Sequence, residues 1–198
     1  MGEPRLGADD QARWDQQHAD SAGAAPPATF LRQVFASDAW RLPRGQALDI
    51  ACGKGRNALY LAELGFHVVA IDISGLALAE ARKRAESNQL RIAWRQTDLQ
   101  DVQLDEAAFD CIVNINFLQR SLIPQIKRAL KTGGHIIFET FLIDQKEIGH
   151  PKNPDYLLRH NELLEQFRDF RVFCYREGMF NEGGEASYRA GILAQRIA

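Results

Sequence analysis

The segment best suited to chemistry is Asp49–Ala58, which reads Asp-Ile-Ala-Cys-Gly-Lys-Gly-Arg-Asn-Ala and follows a short apolar run. Because Gly53 and Gly55 lack a Cβ, the backbone can make an unusual turn there and approach a ligand closely. The helical pattern that follows presents free N–H groups and a positive dipole end. A plain tight turn is the alternative, but two glycines at a strand–helix junction favour a ligand site.

A carboxylate that could bind a ribose follows the two glycines in the sequence. Asp72 lies seventeen residues after Gly55 and ends the second apolar run, where it can accept hydrogen bonds from both hydroxyls of a ribose. Capping of the next helix is the alternative role, although Ser74 is the better-placed cap. The spacing Gly53-x-Gly55-x-x-Ala58 with a later acid also fits the dinucleotide fingerprint, so a nicotinamide-dependent oxidoreductase stays open at this point.

The elements that must position these residues alternate along the chain. The apolar runs that predict strands are Ala47–Ala51, His67–Ile71, Arg91–Arg95, Phe109–Ile115 and His135–Glu139. The helical patterns are Thr29–Ser37, Arg56–Leu64, Gly75–Glu86 and Ser121–Leu130. This alternation predicts an α/β, doubly wound, mostly parallel sheet covered on both faces.

The C-terminal part has a different pattern. A turn at Lys131–Gly134 precedes the fifth strand, and Asn161 is placed to cap a short helix ending at Phe167. Two strand-like runs, Phe170–Arg176 and Ser187–Ile197, flank a polar segment. They predict a C-terminal antiparallel hairpin with a longer loop at Asn181–Glu185, which completes a seven-stranded sheet.

Composition limits the kinds of partner. The 198 residues suggest one domain, and the net charge of -2 gives no basic surface for nucleic acid. No apolar stretch is long enough for a membrane span, and the polar start does not resemble a signal peptide, so we expect a cytoplasmic protein. The three cysteines, Cys52, Cys111 and Cys174, fit no zinc or disulfide spacing, so we expect buried reduced thiols and no metal site.

A resemblance narrows the choice of cofactor. The run ALDIACGKGRNALYLAELGFHVVAIDIS resembles motifs I and II of class I S-adenosylmethionine-dependent methyltransferases, in which an acid inside strand one precedes G/A-C-G-x-G. Dinucleotide enzymes rarely carry that acid. Ala51 stands where glycine is common, a departure that the family tolerates. The residues in the motif I positions are Asp49, Ala51, Cys52, Gly53 and Gly55.

Weaker similarities follow along the chain. Thr97-Asp98-Leu99 resembles the adenine-contacting segment of that family, Phe109–Val113 its fourth strand, and Leu130–Gly134 its turn before strand five. The stretches GRNALYLA and FLQR…RALKTGGHIIFETF resemble small bacterial enzymes of the tellurite-resistance methyltransferase group. The resemblance covers about residues 30–198 and implies the Rossmann-like methyltransferase fold.

The resemblance also implies a role for each residue of a cofactor site. Asp49 would lie near the methionine amino group, Gly53 and Gly55 would pass under the cofactor, and Asp72 would hold the ribose. Ile73 would pack on the adenine, whose amino group would donate to Asp98 beside Thr97 and Leu99, while Asn114 would face the methionyl end. Arg56 and Asn57 would order the loop. The implied cofactor-binding residues are Asp49, Ala51, Cys52, Gly53, Gly55, Asn57, Asp72, Ile73, Thr97, Asp98, Leu99 and Asn114.

The expected reaction is in-line transfer of the methyl group of S-adenosylmethionine to a small molecule: a thiol, a chalcogen oxyanion or another metabolite. No obligatory catalytic residue follows, because a base is needed only for an acceptor that must lose a proton. Candidates to line the acceptor site, each with a structural alternative, are Phe117, Arg120, Glu139, Phe141 and His150.

Several alternatives stay open. They are a methyltransferase acting on a macromolecule, a nicotinamide-dependent oxidoreductase, and a cofactor-binding protein without catalysis. We expect a monomer or a homodimer. Residues 1–28 form a polar segment containing Trp14, interpreted as a lid or as partly disordered, and residues 29–198 form the catalytic domain.

Overall fold

Seven strands form one sheet in a computed structural model that describes residues 15–16, 25–182 and 184–197. The strands are β1 (Gln46–Ile50), β2 (His67–Asp72), β3 (Ile92–Gln96), β4 (Phe109–Ile115), β5 (Leu130–Phe141), β6 (Phe170–Glu182) and β7 (Glu185–Arg196). Their order is β3-β2-β1-β4-β5-β7-β6. The first five are parallel and β7 is antiparallel to both its neighbours, which confirms the predicted fold class. The role suggested for Trp14 lies outside the described residues.

Helices cover both faces of the sheet. They are α1 (Thr29–Ala36), α2 (Arg56–Glu63), α3 (Gly75–Ser87), α4 (Ile123–Ala129), α5 (Gln145–Ile148) and α6 (Glu162–Gln166). Apolar residues of α1, α2 and α3 pack in one core cluster, and those of α4 and α6 pack in the other. None of the helices in the described part of the chain is long and apolar enough to cross a membrane.

Strand β1 lies at the centre of the sheet and defines the edge where the site forms. Successive side chains of a strand point to opposite faces, so Ala47 joins one core cluster while Leu48 and Ile50 join the other. Ile50 pairs with Ile71 on one side and with Asn114 on the other. The carboxyl ends of β1, β2 and β4 therefore meet at one edge of the sheet. Each of these strands contains a predicted site residue or is followed by one.

The hairpin is longer than the sequence predicts. Strand β6 continues to Glu182 and β7 begins at Glu185, and these two residues pair with each other. The predicted longer loop at Asn181–Glu185 is therefore wrong, because only two residues connect the strands. Gly184 has a φ of 93°, and glycine is the residue that tolerates such an angle in a tight connection. Polar residues occupy the strand ends because this part of the hairpin is largely exposed.

The turn predicted at residues 131–134 and the predicted helix cap at Asn161 differ in detail from the sequence-based expectation. Strand β5 contains the expected turn as an irregularity: Leu130 pairs with Phe109 and His135 with Cys111, so residues 131–134 bulge out of the ladder. Asn161 does precede a helix, but its side chain makes no capping hydrogen bond. The backbone N–H of Asn161 instead donates to Glu177 at 2.9 Å.

Candidate functional site

The connection between β1 and α2 is a turn built from left-handed residues. Ala51, Gly53 and Gly55 have φ angles of 52°, 51° and 75°. The N–H of Cys52 donates to the Ile71 carbonyl at 3.0 Å, which ties this turn to β2. Ala51 adopts a conformation that costs an L-residue about 1–2 kcal/mol, so the surrounding contacts hold the turn in place.

Packing explains the glycine at position 55. A Cβ on Gly55 would lie 2.6 Å from Cη2 of Trp94 and 3.0 Å from the Cβ of Ala81. The first distance is shorter than a Cβ contact in real proteins and the second is unusually tight, so the turn approaches β3 and α3 this closely because residue 55 is glycine. The resemblance implies that Gly55 passes under a cofactor, but the space left by its missing side chain is filled by Trp94.

Asp72 holds the glycine turn from the end of β2. Its Oδ2 accepts a hydrogen bond from the Gly53 N–H at 2.7 Å, and its Oδ1 accepts one from the Ser74 N–H at 2.9 Å. Ser74 caps α3 as predicted, since its Oγ accepts from the Ala77 N–H at 3.0 Å. The Ser74 hydroxyl also donates to the carboxylate of Asp15. A carboxylate has about four lone-pair sites, so Asp72 can still accept two hydroxyl donors.

Asp49 is a buried carboxyl group with no good hydrogen-bond partner. It is 1% exposed, and neither of its oxygens makes a hydrogen bond of normal geometry to a described residue. Burial raises the pKa of Asp49 to about 8, against an opposing effect of the Ala58 N–H, while the charge of Asp72 adds to the rise and Arg56 counters it. Because a buried carboxylate is costly without a partner, this position favours a cationic ligand group.

Arg56 begins α2 beside this carboxyl group. Its Nη1 donates to the Pro26 carbonyl at 3.4 Å, and within the described parts of the chain it forms no ion pair. Burial lowers the pKa of the Arg56 guanidinium, and the charges of Asp49 and Glu139 oppose that change. The guanidinium therefore lies within electrostatic reach of two carboxyl groups that it does not contact.

Glu139, at the end of β5, belongs to a buried ionic network. Its Oε1 accepts from both Nε (2.9 Å) and Nη2 of Arg176, and Nη1 of Arg189 lies 3.6 Å from its Oε2. Arg176 also bonds Glu182 at 2.7 Å. Burial raises the pKa of Glu139, and Arg189 and Arg176 oppose that rise. The hairpin thus brings two arginines to Glu139, so this acceptor-site candidate is a paired carboxylate.

The other predicted acceptor-site residues have different surroundings. Arg120 donates to both carboxylate oxygens of buried Glu162, from Nε at 2.6 Å and from Nη2 at 2.9 Å. Phe117 is half-buried against the core. The guanidinium carbon of Arg189 lies 4.2 Å from the centre of the Phe141 ring. His150 is exposed. The partners of Arg120 favour a structural role for it.

The residues predicted around an adenine lie next to Asp72. The Thr97 N–H donates to the Asp72 carbonyl at 2.9 Å. Asp98 is half-buried and its Oδ1 accepts from the Gln100 N–H at 2.9 Å, while Leu99 is buried. Ile73 is half-buried. The other side-chain oxygen of Asp98, at the edge that β2 and β3 share, accepts no hydrogen bond from the residues that the structure describes.

Two predicted residues hold neighbouring loops. Asn114 is buried at the end of β4, and its Nδ2 donates to the Phe117 carbonyl at 2.7 Å. Asn57 accepts from the Ala28 N–H at 3.0 Å, so it fixes the segment before α1. Buried Cys52 has its thiol 3.7 Å from the Gly53 carbonyl, and burial raises its pKa well above the usual value.

Known proteins resemble the chain over its central part. Residues 47–134 match a protein family described as "Methyltransferase domain". A probable S-adenosyl-L-methionine-dependent methyltransferase, TehB of Haemophilus influenzae, is 28% identical over 141 residues, which cover 68% of this chain and 49% of the relative. A ubiquinone biosynthesis O-methyltransferase of Alkalilimnicola ehrlichii is 34% identical over 99 residues, 47% of this chain and 40% of the relative. The chain thus spans half or less of the length of these relatives.

The fold has a solved counterpart. The crystal structure of TehB from Haemophilus influenzae superimposes with a TM-score of 0.69 at 24% identity, covering 84% of this chain and 65% of that one. This superposition shows that the fold is shared. The matched domain and the 28% identical relative confirm the predicted resemblance to S-adenosylmethionine-dependent methyltransferases, including those of the TehB group.

Proposed function

We propose that this chain, which carries a methyltransferase domain and the fold of S-adenosylmethionine-dependent enzymes, transfers the methyl group of that cofactor to a small molecule. The observation that carries the proposal is Asp49, a buried carboxyl group without a good partner beside a turn of left-handed residues. The ammonium group of the cofactor's methionine moiety is a cation that fits this position.

The remaining cofactor contacts are proposed at the ends of β2 and β3. Asp72, already held by the N–H groups of Gly53 and Ser74, has lone pairs left for the two ribose hydroxyls. Asp98 would accept from the adenine amino group, with Thr97, Leu99 and Ile73 around the ring. Ala51, Cys52, Asn57 and Asn114 would support the turn and the methionyl end.

In this reaction the protein chiefly orients the two reactants. When bound, the cofactor supplies an electrophilic methyl group and a neutral thioether leaving group. Asp49 and Asp72 would fix the two ends of the cofactor, so that an acceptor above β4 and β5 meets the methyl group in line. Such positioning contributes about 7–11 kcal/mol in favourable cases.

A small polar acceptor is the finer part of the proposal. The carboxyl end of β5 carries Glu139 with Arg176 and Arg189, a charged group of a kind that orients polar or anionic molecules. The net charge of -2 argues against a nucleic-acid acceptor. The relatives named above include an enzyme of ubiquinone biosynthesis, whose name also indicates a small-molecule acceptor.

Calorimetric titration with S-adenosylhomocysteine and with NADH tests the cofactor. We expect micromolar binding of S-adenosylhomocysteine and no measurable binding of NADH. Binding of NADH alone would overturn the proposal in favour of an oxidoreductase. Transfer of labelled methyl to an acceptor panel, beginning with thiols and chalcogen oxyanions, then tests catalysis; label transferred only to protein or RNA would point to a macromolecular acceptor.

A further inference from the structure

Asn116 is an exposed residue whose backbone adopts the left-handed conformation, with a φ of 62°. It directly follows β4, and its N–H donates to the Glu139 carbonyl at 2.9 Å, so it lies where the carboxyl ends of β4 and β5 meet. Two residues earlier, Asn114 pairs with Ile50 at the end of β1. Left-handed residues other than glycine concentrate at ligand sites, where the surrounding structure holds them. Asn116 is thus on the side of the proposed cofactor site at which the methyl acceptor would enter.

The side chain of Asn116 is held by Arg189 on β7. Its Oδ1 accepts hydrogen bonds from both Nη1 and Nη2 of Arg189, at 2.8 and 2.7 Å. A guanidinium has donors but no acceptor, so the amide must turn its oxygen, and not its nitrogen, towards Arg189. Arg189 is itself fixed by the Ser187 hydroxyl, which accepts from its Nε at 3.1 Å, and by the Phe141 ring beneath it. The protein therefore sets the orientation of the Asn116 amide before any acceptor binds.

The amide nitrogen of Asn116 is the branch of the side chain that lies away from the guanidinium. Within the described residues no hydrogen bond uses this nitrogen. The neighbouring asparagine differs, because Nδ2 of Asn114 donates to the Phe117 carbonyl at 2.7 Å. Asn116 consequently offers two N–H donors in a fixed direction at an exposed position, and an oxygen without a hydrogen of its own is the partner that suits them.

We propose that the amide nitrogen of Asn116 donates a hydrogen bond to a carboxylate or carbonyl oxygen of the methyl acceptor. Asn116 would then select acceptors that carry such an oxygen beside the atom that receives the methyl group. The charge of Arg189, which polarises the amide through its oxygen, strengthens this donor. An ammonium group, which can only donate, finds no acceptor here because the amide oxygen is occupied. The inference rests on the proposed function and narrows its class of acceptor.

The first experiment compares two acceptors that differ by one carboxylate. In 2-mercaptobenzoate a carboxylate stands next to the thiol, whereas benzenethiol has the thiol alone. We expect the unmodified protein to transfer labelled methyl from S-adenosylmethionine to 2-mercaptobenzoate with a kcat/KM at least tenfold above that for benzenethiol. Equal values for the two thiols, or no transfer to 2-mercaptobenzoate, would overturn the inference.

Asn116→Asp separates the donor from a structural role. A carboxylate keeps both hydrogen bonds from Arg189 and tolerates the left-handed backbone, but it has no N–H to donate. We expect this variant to raise the KM for 2-mercaptobenzoate at least tenfold and to change the affinity for S-adenosylhomocysteine less than twofold. Asn116→Gly, which keeps the backbone conformation without the side chain, should raise the KM as well. If the aspartate variant keeps the original KM and only the glycine variant raises it, Asn116 acts by holding Arg189 and the inference is overturned.

Asn153→Asp is the matched control. Asn153 is also exposed, and its Oδ1 accepts from the Asp155 N–H at 3.0 Å, so aspartate adds the same charge and keeps this hydrogen bond. We expect the KM for 2-mercaptobenzoate to stay within twofold of that of the unmodified protein. A tenfold rise in this variant would assign the effect of Asn116→Asp to general charge repulsion and would overturn the role of the amide.

Titration of the unmodified protein with S-adenosylhomocysteine separates this inference from the proposed function. If the protein does not bind S-adenosylhomocysteine, the proposed cofactor is wrong and the inference falls with it. If the protein binds S-adenosylhomocysteine but prefers benzenethiol, the inference alone is overturned.

Discussion

The carboxylate of Asp72 accepts a hydrogen bond of 2.7 Å from the backbone N–H of Gly53, so the end of β2 fixes the glycine turn at the end of β1. A second bond, from the Ser74 N–H at 2.9 Å, joins the same carboxylate to the start of α3. One side chain therefore couples three elements at the proposed cofactor site. Its removal should affect both the binding of the cofactor and the stability of the empty protein.

Replacement of Asp72 by alanine tests both effects. We expect at least tenfold weaker binding of S-adenosylhomocysteine, because two charge-assisted hydrogen bonds to the ribose are lost. The unpaired N–H groups of Gly53 and Ser74 should also lower the free energy of unfolding by about 1–2 kcal/mol. Calorimetry and urea denaturation measure the two quantities. Asp105→Ala removes an exposed carboxylate and should change neither; unchanged affinity in Asp72→Ala would exclude the ribose role.

Asp49→Asn should make the empty protein more stable while impairing its function. Because burial raises the pKa of Asp49 to about 8 from 3.8, its contribution to stability is full below pH 3.8 and is lost as pH rises through about 8. Asparagine does not ionise, so the variant avoids this loss. We expect its free energy of unfolding to exceed that of the unmodified protein by about 2 kcal/mol or more near pH 8 and to equal it near pH 4. Binding of S-adenosylhomocysteine should weaken at least tenfold. Denaturation curves at both pH values check the sign; lower stability of the variant near pH 8 would contradict it.

The same carboxyl group should make cofactor binding depend on pH. An ammonium group binds the ionised form of Asp49, so the affinity for S-adenosylhomocysteine should rise up to about tenfold per pH unit and level off near pH 8. Titrations in buffers of different ionisation enthalpy should detect release of up to one proton below that pH. The Asp49→Asn variant is the control and should show a flat profile; the same slope in both proteins would assign it to another group.

The sequence predicts those residues of the site whose roles follow from their immediate neighbours along the chain. Gly53, Gly55 and Asp72 are evident because glycines at a strand–helix junction and an acid at a strand end have local physical reasons. Their partners are harder to find. That Trp94 fills the space beside Gly55 depends on how closely β3 approaches the turn, which no local pattern reveals.

The arginines around Glu139 could not be predicted for a related reason. Arg176 is 37 residues away in sequence and reaches Glu139 only through the pairing of β6 with β7 and of β7 with β5. A register shift between Val172 and Cys174 alters which residues of β6 face the site. Such a shift changes the facing side chains without a clear signal in the sequence.

Arg120 and Glu162 form an ion pair, and its contribution to stability can be measured separately from any role of Arg120 in acceptor binding. Glu162 is 1% exposed, and in Arg120→Ala its carboxylate would keep only the Arg159 backbone N–H, at 2.8 Å, and the exposed Arg159 guanidinium, at 3.4 Å. We expect a loss of about 2–3 kcal/mol of unfolding free energy, below the range for fully buried pairs because the Arg120 side chain is 30% exposed. Urea denaturation measures it. Arg120→Met combined with Glu162→Leu should restore most of the loss, since neither charge then remains buried.

A different result would favour the sequence-based interpretation of Arg120. If Arg120→Ala kept its stability but raised the KM for the acceptor, the residue would belong to the acceptor site. The hydrogen bonds to the Asp155 and Leu157 carbonyls, at 3.0 and 2.8 Å, argue for the structural role, because together with those to Glu162 they use donors on all three guanidinium nitrogens.

Gly55 and Gly65 form a pair that distinguishes packing from backbone strain. Both have positive φ angles, 75° and 89°, so alanine at either position carries a left-handed penalty of about 1 kcal/mol. A Cβ on Gly65 meets nothing within 4 Å, whereas one on Gly55 lies 2.6 Å from Trp94. We therefore expect Gly55→Ala to lose about 1–3 kcal/mol more than Gly65→Ala in urea denaturation. Adding Trp94→Leu should narrow that difference. Equal losses in the two alanine variants, with cofactor binding lost only in Gly55→Ala, would instead show that this glycine makes room for the cofactor.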